Sequence, residues 1–459
     1  MNRIHTAKVV VIGAGFAGIA AAATLFEAGF QHVQVLEAMG RVGGRVYTMR
    51  PFGSDIIELG ANWIHGQEGN PLFELEDGRL LQAEDVEQVC ALFSRLTTRA
   101  FDSELEDRHR CLSLGDYLDN AFAESPLAAT EDGLKVFEWC KRCECTDEAS
   151  SSLYEVSASQ ISHYEALEGG FFNSLGPGGY QAFIDVLLRK LPAGVIMTNT
   201  PVAHIEWALD ESGKRSTHPV QIVCEHGQSF EADHVIVTVS LGVLKQRAAL
   251  MFRPPLPNSK MAAIDKLEIG TVDKIYLCFP ERFWPEDCAG IQLVWDNGPE
   301  DAAVYTSELE GEAWKETWFK KICGFDTVAR HPNVLCGWIT GREALHMETL
   351  EDVEVGDVCM RLLRSFTGWP VPEVSQVLMS RWGRDPYVRG SYTFVPQGVL
   401  AEEHGALAAP LPPEPSSDDR KPLQVLFAGE ATHVNFYTTT HGAYLTGIRE
   451  AQRLINLYT

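Results

Sequence analysis

Hydrophobic and polar positions alternate in three different ways along the chain. Val9 to Ile12 is an unbroken apolar run, an alanine-rich stretch then reaches Phe26, and Val33 to Leu36 ends against Glu37. Short apolar runs bounded by glycine read as strands and the longer one as a helix, so the opening predicts a strand, a helix and a strand. Val86–Arg99, Leu112–Ala123 and Glu131–Cys143 instead repeat apolar residues three and four apart, which predicts amphipathic helices. After Gly176 the α/β character returns. A helix reaches the vicinity of Lys190, and strands are predicted at Val195–Met197, Thr200–Ile205, Val220–Cys224 and Phe230–Val239, with Asp210–Thr217 as a polar hairpin tip.

Arg253 to Leu378 is strand-rich and aromatic, with strands at Thr271–Phe279, Ile291–Trp295 and Val334–Ile339. Helices are predicted around Trp314–Lys321 and at Asp352–Phe366. Pro410–Lys421 reads as a surface loop, Val425–Ala428 as a strand, and Thr440–Tyr458 as a final helix. Tyr444, Ile448, Ala451, Ile455 and Tyr458 share one face of that helix. Together these elements predict an α/β fold. A discontinuous Rossmann-like dinucleotide domain takes 1–75, 176–255 and 385–459, and an inserted substrate-binding domain of mixed sheet and helices takes 76–175 and 256–384.

Composition narrows the partners. With 459 residues the chain has room for two or three domains, and 45% hydrophobic content supports sizeable cores. A net charge of −25 disfavours nucleic acid and anionic membrane and attracts a polycation. The eleven cysteines lack disulfide-like spacing, so a reducing compartment is expected: the cytoplasm, with the nucleus as a second choice. Leu457-Tyr458-Thr459 is neither a peroxisomal tripeptide nor a prenylation box. Cys140, Cys143 and Cys145 cluster without a second Cys-x-x-Cys, so no metal is expected. The uncharged Val9–Phe26 stretch is long enough for a membrane span, but three glycines and no leucine core argue against one.

The first candidate chemistry lies in the glycines. Gly13, Gly15 and Gly18 between strand and helix suit a dinucleotide: a tight turn, backbone close to a pyrophosphate, and a helix packed tightly on the sheet. The helix N-terminus adds unpaired N–H groups and a positive dipole end. Glu37, about twenty residues on, can accept from ribose hydroxyls. Arg41-Val42-Gly43-Gly44-Arg45 adds a second close approach and a guanidinium able to pair a phosphate. Gly60-Ala61-Asn62-Trp63-Ile64-His65-Gly66 suits either a flat ligand or a buried turn. Glu144, Asp147 and Glu148 close a helix at its negative dipole end, where carboxylates are either solvated or placed for a ligand, solvation being the default. Lys274 shares a strand face with Val272 and Tyr276. Such a lysine is usually a snorkelling edge residue, and a buried one is a functional candidate.

These motifs bring a known family into view. Glu37-Ala38-x-x-Arg41-x-Gly43-Gly44-Arg45 resembles the second fingerprint of FAD-dependent amine oxidases. With Glu58–Gly66, His234–Lys245, Gly270–Leu277, Arg381–Phe394 and Leu426–Gly447, most of the chain resembles the animal polyamine oxidases, meaning spermine oxidase and N1-acetylpolyamine oxidase. Phe427-Ala428-Gly429-Glu430-Ala431-Thr432-His433 is highly specific, and Trp318–Asp326 and Val334–Ile339 are worded closer to spermine oxidase.

The resemblance implies an FAD enzyme that oxidises a small polycationic amine. Hydride passes to flavin N5, the imine hydrolyses to amine and aminoaldehyde, and O2 reoxidises the flavin to give H2O2. A monomer is expected. It implies that Gly13, Gly15, Gly18, Glu37, Arg45, Val202, Gly429 and Glu430 hold FAD, that Gly60, Ala61, Asn62 and Trp63 lie along the flavin, and that Trp382 packs near it. Lys274 is implied to hold a water near N5, Tyr392 to form one wall of an amine-guiding cage and Thr439 the other, and His65 to contact substrate. Glu144 or Asp147 would accept a distal ammonium, and Thr438 would line the same site. The chain departs from the family pattern at Asn62, at Thr438 and in a shorter stretch after Leu75, and 159–175 match poorly. A histone-lysine demethylase remains an alternative, but no inserted tower or chromatin module supports it. A non-enzymatic flavin fold is opposed by Lys274 and both fingerprints, and an NAD enzyme by Gly43-Gly44-Arg45.

Overall fold

A computed structural model describes residues 4, 6–53, 55–64, 87–101, 111–169, 173–176, 178–207, 218–295, 313–412 and 422–459. The hairpin tip at 210–217 and most of the loop at 410–421 lie outside them. The opening pattern folds as β1 (Lys8–Ile12), α1 (Phe16–Glu27) and β2 (His32–Leu36). β1 sits at the centre of a five-stranded parallel sheet. On one side of it come His234–Val237 and then Val425–Phe427; on the other come β2 and then Ile196–Met197. A central parallel strand is covered on both faces, which is why β1 reads as a continuous apolar run rather than an alternating one.

Nine of the twelve residues of α1 are buried, so the helix has no charged face to lose. It lies between the sheet and the final helix, Thr440–Tyr458. Small residues set the spacing on both sides. A Cβ on Gly18 would stand 1.9 Å from the Gly13 carbonyl, and one on Gly447 would stand 2.1 Å from the Ala17 carbonyl. The buried residues of the final helix are His441, Gly442, Thr446, Gly447, Glu450, Ala451 and Leu454. Of the face expected from apolar spacing only Ala451 is fully buried. Tyr444, Ile448, Ile455 and Tyr458 are half-buried, because contact with α1 selects small side chains over large ones.

Strand Phe230–Val239 resolves into two, Ser229–Ala232 and His234–Val237, which belong to different sheets. The chain turns at Asp233, whose carboxylate accepts the Lys8 N–H at 2.9 Å. A second five-stranded sheet, antiparallel throughout, runs Gly290–Gln292, Gly324–Val328, His331–Thr340, Val272–Cys278, Gln376–Met379. Lys274 therefore lies on an inner strand, not at an edge, and is 4% exposed. The predicted helix around Trp314–Lys321 is two short 3-10 turns. Helices Leu241–Met251 and Asn258–Lys266 carry no clean apolar period, and the sequence pattern predicts neither.

Three helices form the remaining core: α2 (Glu87–Phe101), α3 (Leu114–Ala123) and α4 (Glu131–Asp147). Ser113 and Thr130 cap α3 and α4 by accepting the Asp116 and Gly133 N–H groups. Phe122 of α3 and Phe137 of α4 stack with centroids 3.8 Å apart. α4 runs a turn past Cys143, where its apolar period stops, because its last residues face a cavity rather than core. Among the described residues no helix is long and apolar enough to cross a membrane.

The α1 contact is testable. Gly447→Val forces its side chain into the Ala17 carbonyl, and about 3 kcal/mol of stability should be lost to overpacking. Urea unfolding measures this directly, and an unchanged midpoint would mean that the two helices do not touch.

Candidate active site

A cavity of about 890 Å3 runs from the β1–α1 junction to the C-terminal turn of α4. Its first end is built from backbone. Gly13, Gly15, Gly43 and Gly44 line it together with Glu37 and Val202. Gly15 stands at the α1 N-cap and offers no side chain to the first-turn N–H groups, so those donors are left for a ligand. Gly18 is not on the lining: it lies behind the junction, holding α1 to the sheet. Glu37 is buried, with Oε2 accepting from Ala14 N at 2.6 Å and Oε1 from Met39 N at 2.8 Å. Burial raises its pKa against those bonds. Each oxygen keeps a lone pair for a hydroxyl.

Arg45 and Glu430 lie further in. Arg45 Nη1 donates to Glu430 Oε1 at 2.8 Å and to the Ser391 carbonyl at 2.7 Å. The Arg45 side chain expected to pair a phosphate is thus engaged, through this nitrogen, with a carboxylate. Glu430 Oε2 accepts from Thr393 Oγ1 at 2.8 Å and from Thr438 N at 3.0 Å. Burial pushes the Glu430 pKa up, but Arg45 and these donors outweigh it and hold the carboxyl below its ordinary value. Thr438 sits at φ +69°, a conformation costing about 1 kcal/mol that its bond to Glu430 helps offset. Gly429, at φ +132°, would carry a Cβ with nothing within 4 Å, leaving a cradle open to the cavity. Unpaired N–H groups, a satisfied acid and this cradle together fit a bound dinucleotide.

Lys274 stands at the middle. Its Nζ donates to the carbonyls of Glu58 and Gly60, both at 2.7 Å, and to Asn62 Oδ1 at 3.4 Å. It thereby fixes the segment Gly60-Ala61-Asn62-Trp63, all of which lines the cavity. Burial pushes its pKa down to about 8. Trp63 stacks on Trp338, the cross-strand neighbour of Lys274, with centroids 5.3 Å apart. Trp382 also lines the cavity, and its backbone N–H donates to Asp273 on the opposite face of the Lys274 strand. His65 lies outside the described residues.

The far end is acidic. Glu144, Asp147 and Glu148 all line it, so the solvated default does not hold. Asp147 is exposed, but to the cavity, and burial by the surrounding wall raises its pKa to about 6. Glu148 rises to about 8 through burial and then the neighbouring Asp147, and Glu144 rises well above the carboxylate range for the same reasons. Among the described residues none of the three is paired with a cation. Tyr392 Oη donates to the Thr146 carbonyl at 2.5 Å and joins this wall to the middle of the cavity. Thr439 lines the cavity too, but its hydroxyl caps the final helix, accepting from Gly442 N at 2.9 Å and donating to the Phe436 carbonyl at 2.8 Å.

Sequence reasoning missed Trp338, Asp326, Tyr164 and Tyr437 on the lining. Trp338 and Asp326 owe their places to strand pairing, and Tyr164 and Tyr437 to turns, none of which has a periodic signal. Among the described residues no group of three or more His, Cys, Asp or Glu could hold a metal.

A family model described as flavin containing amine oxidoreductase matches residues 16–93 and 104–455. The peroxisomal N(1)-acetyl-spermine/spermidine oxidase of Bos taurus is 37% identical, covering 98% of this chain and 95% of that protein. A probable polyamine oxidase 5 of Arabidopsis thaliana is 32% identical, covering 98% of both. The solved structure of cyclohexylamine oxidase from Brevibacterium oxydans superposes with a TM-score of 0.70 at 21% identity, over 98% of this chain and 99% of that one, a likeness of fold.

Two outcomes test the geometry. Arg45→Ala strands a buried carboxylate and should cost about 3 kcal/mol in thermal or urea unfolding. Adding Glu430→Gln should recover part of the loss, and strict additivity would deny the pair. The acidic wall gives a pH signature. A carboxyl with a raised pKa binds more protons folded than unfolded, so between the ordinary carboxylate value and about 8 the wall loses stability as pH rises. A diammonium ligand reverses that penalty. Its thermal shift should therefore grow from pH 5 to pH 8, and a flat shift would mean that the cation binds elsewhere.

Proposed function

This chain belongs to the flavin containing amine oxidoreductase family, and on that premise we propose that it oxidises polyamines, with spermine as the preferred substrate. Its cofactor is FAD. In this reading the first-turn N–H groups of α1, Glu37, Val202 and the Gly429–Glu430 turn hold the dinucleotide, and Gly60–Trp63 with Trp382 flank the ring. Bound there, FAD would supply a two-electron oxidation of the amine with O2 as the final acceptor and H2O2 as product.

The chain's own task is electrostatic. The amine must arrive as a cation and react as a free base. A single observation carries the reading: carboxyls at the C-terminal end of α4, with no cation paired to them among the described residues, line the same cavity as the dinucleotide end and Lys274. Glu144, Asp147 and Glu148 would neutralise the distal ammonium groups. Lys274, a buried cation, disfavours a second positive charge beside it and so favours a neutral nitrogen at the reacting position. It also fixes Gly60 and Asn62 through its hydrogen bonds, which makes it a positioning residue. The net charge of −25 adds long-range attraction for a polycation.

A second reading is favoured by the name of the bovine relative: an N1-acetylated polyamine, whose capped end carries no charge. Peroxide release by purified holoenzyme decides between them. Spermine should give the highest kcat/KM, ahead of N1-acetylspermine, spermidine and a dimethyl-lysine peptide. The reverse order of the first two would establish the second reading, and silence on every amine would end the enzyme claim. Lys274→Met should retain FAD absorbance but slow anaerobic flavin reduction or its reoxidation at least about tenfold, or 1.4 kcal/mol. Wild-type rates in both half-reactions would remove Lys274 from the mechanism.

A further inference from the structure

All eleven cysteines are free thiols. α4 carries Cys140 and Cys143, and each meets a thiol from another element. Cys140 faces Cys90 of α2 with sulfurs 3.8 Å apart. That pair lies in the helical core, off the cavity lining, and burial pushes the Cys140 thiol far up. Cys143 meets Cys323, which directly precedes the strand Gly324–Val328, and both line the cavity. The contact is held by more than the sulfurs. Trp139, one turn before Cys143, donates its indole N–H to the Cys323 carbonyl at 3.0 Å. Arg142 and Lys321, both buried, anchor the two sides by donating to the Leu293 carbonyl at 2.7 Å and the Ser151 carbonyl at 2.6 Å.

These two cations sit close enough to favour thiolate at Cys323. The Cys323 thiol donates to the Lys321 carbonyl at 3.8 Å. The adjacent Cys143 side chain, with Arg142 and Lys321, pulls the Cys323 pKa below the ordinary thiol value against burial, and the same contact pushes Cys143 up. One pair on α4 is thus inert and off the cavity, while the other is polarised and on its wall. Cys323 is buried but lines the cavity, and a thiol beside two cations with a resolving neighbour is the arrangement that peroxide entering that cavity oxidises.

We propose that Cys143 and Cys323 form a peroxide-oxidisable dithiol, a modification site in the wall of the substrate cavity that reversibly ties α4 to the strand Gly324–Val328. The Cys323 thiolate attacks one peroxide oxygen, the O–O bond breaks, and the other oxygen leaves as water after taking a proton, giving a sulfenic acid. The Cys143 sulfur then attacks, the S–O bond breaks, a second water leaves and the disulfide forms. Two thiols are oxidised and one hydrogen peroxide is reduced to two waters. The bond immobilises the turn that carries Glu144 and Asp147, so amine turnover falls. The source of the oxidant rests on the oxidase reading; the thiol chemistry does not.

Reduced holoenzyme is treated with graded hydrogen peroxide, quenched with catalase, alkylated and mapped by mass spectrometry. Peptides containing Cys143 and Cys323 should be joined, with the mass of two hydrogens lost, while Cys90 and Cys140 still alkylate. Amine kcat/KM should fall several-fold and return with dithiothreitol. In Cys143→Ser, with flavin absorbance as the check of fold, Cys323 should be trapped by dimedone as a sulfenic acid. The proposal is overturned if Cys323 still alkylates at peroxide levels that oxidise the exposed Cys111, if Cys90 and Cys140 join equally readily, or if the linked enzyme turns over unchanged. Turnover with spermine in air, without added peroxide, separates the two claims. Linkage by added peroxide but not by turnover would leave the dithiol standing and remove the claim that turnover supplies the oxidant, while the peroxide-release assay alone decides the oxidase reading.

Discussion

The ion pair between Arg45 and Glu430 joins parts of the chain that lie 385 positions apart, and the cavity is assembled around it. One partner ends the second glycine pair. The other follows the last strand of the parallel sheet, and the Ser391 carbonyl on Arg45 brings in a third segment. A buried carboxylate is tolerable only when its lone pairs are filled, and here Arg45, Thr393 and the Thr438 N–H fill them. The pair therefore sets the distance between the α1 N-terminus and the start of the final helix. That distance is what a ligand lying between the two must match.

The opposite end of the cavity is arranged by a cost rather than a gain. Three carboxyl groups on the last turn of α4 and the residue after it face one another without a cation among the described residues. Their raised pKa values measure how unfavourable their joint ionisation is. A protein retains such strain where a ligand relieves it. Lys274 is the counterpart in the middle, a cation pushed toward neutrality by burial and held by carbonyls.

How much of this was legible in the sequence varied with the kind of signal. The βαβ opening was readable because both sheet faces are covered and the glycines are fixed by backbone contacts. Gly13, Gly15, Gly43 and Gly44 lie on the cavity as their spacing implied, and Gly18 lies behind it. Apolar period found α2, α3 and α4 within a few residues. It misjudged the final helix, where close contact favours Gly447 and Ala451 over tyrosine, and it left Lys274 open between an edge and a buried position because alternation says nothing of which strands lie alongside. Trp338 enters the cavity through cross-strand pairing, and no local pattern encodes that. The carboxyls of α4 were visible as residues, but their isolation from solvent depends on walls supplied by distant segments.

The position of Val425–Phe427 beside His234–Val237, with the final helix laid against α1, also bears on synthesis. A chain made from its N-terminus can form β1, α1 and β2 early, yet the α1 face awaits a cover that is translated hundreds of residues later. Until then an alanine-rich helix exposes the surface that Gly447 and Ala451 will occupy. A nascent chain halted before residue 430 would hold the cavity-lining glycines and Arg45 without the carboxylate that pairs with Arg45. Until those last thirty residues emerge, Arg45 has no Glu430 carboxylate to pair with and the cavity lacks the wall they supply.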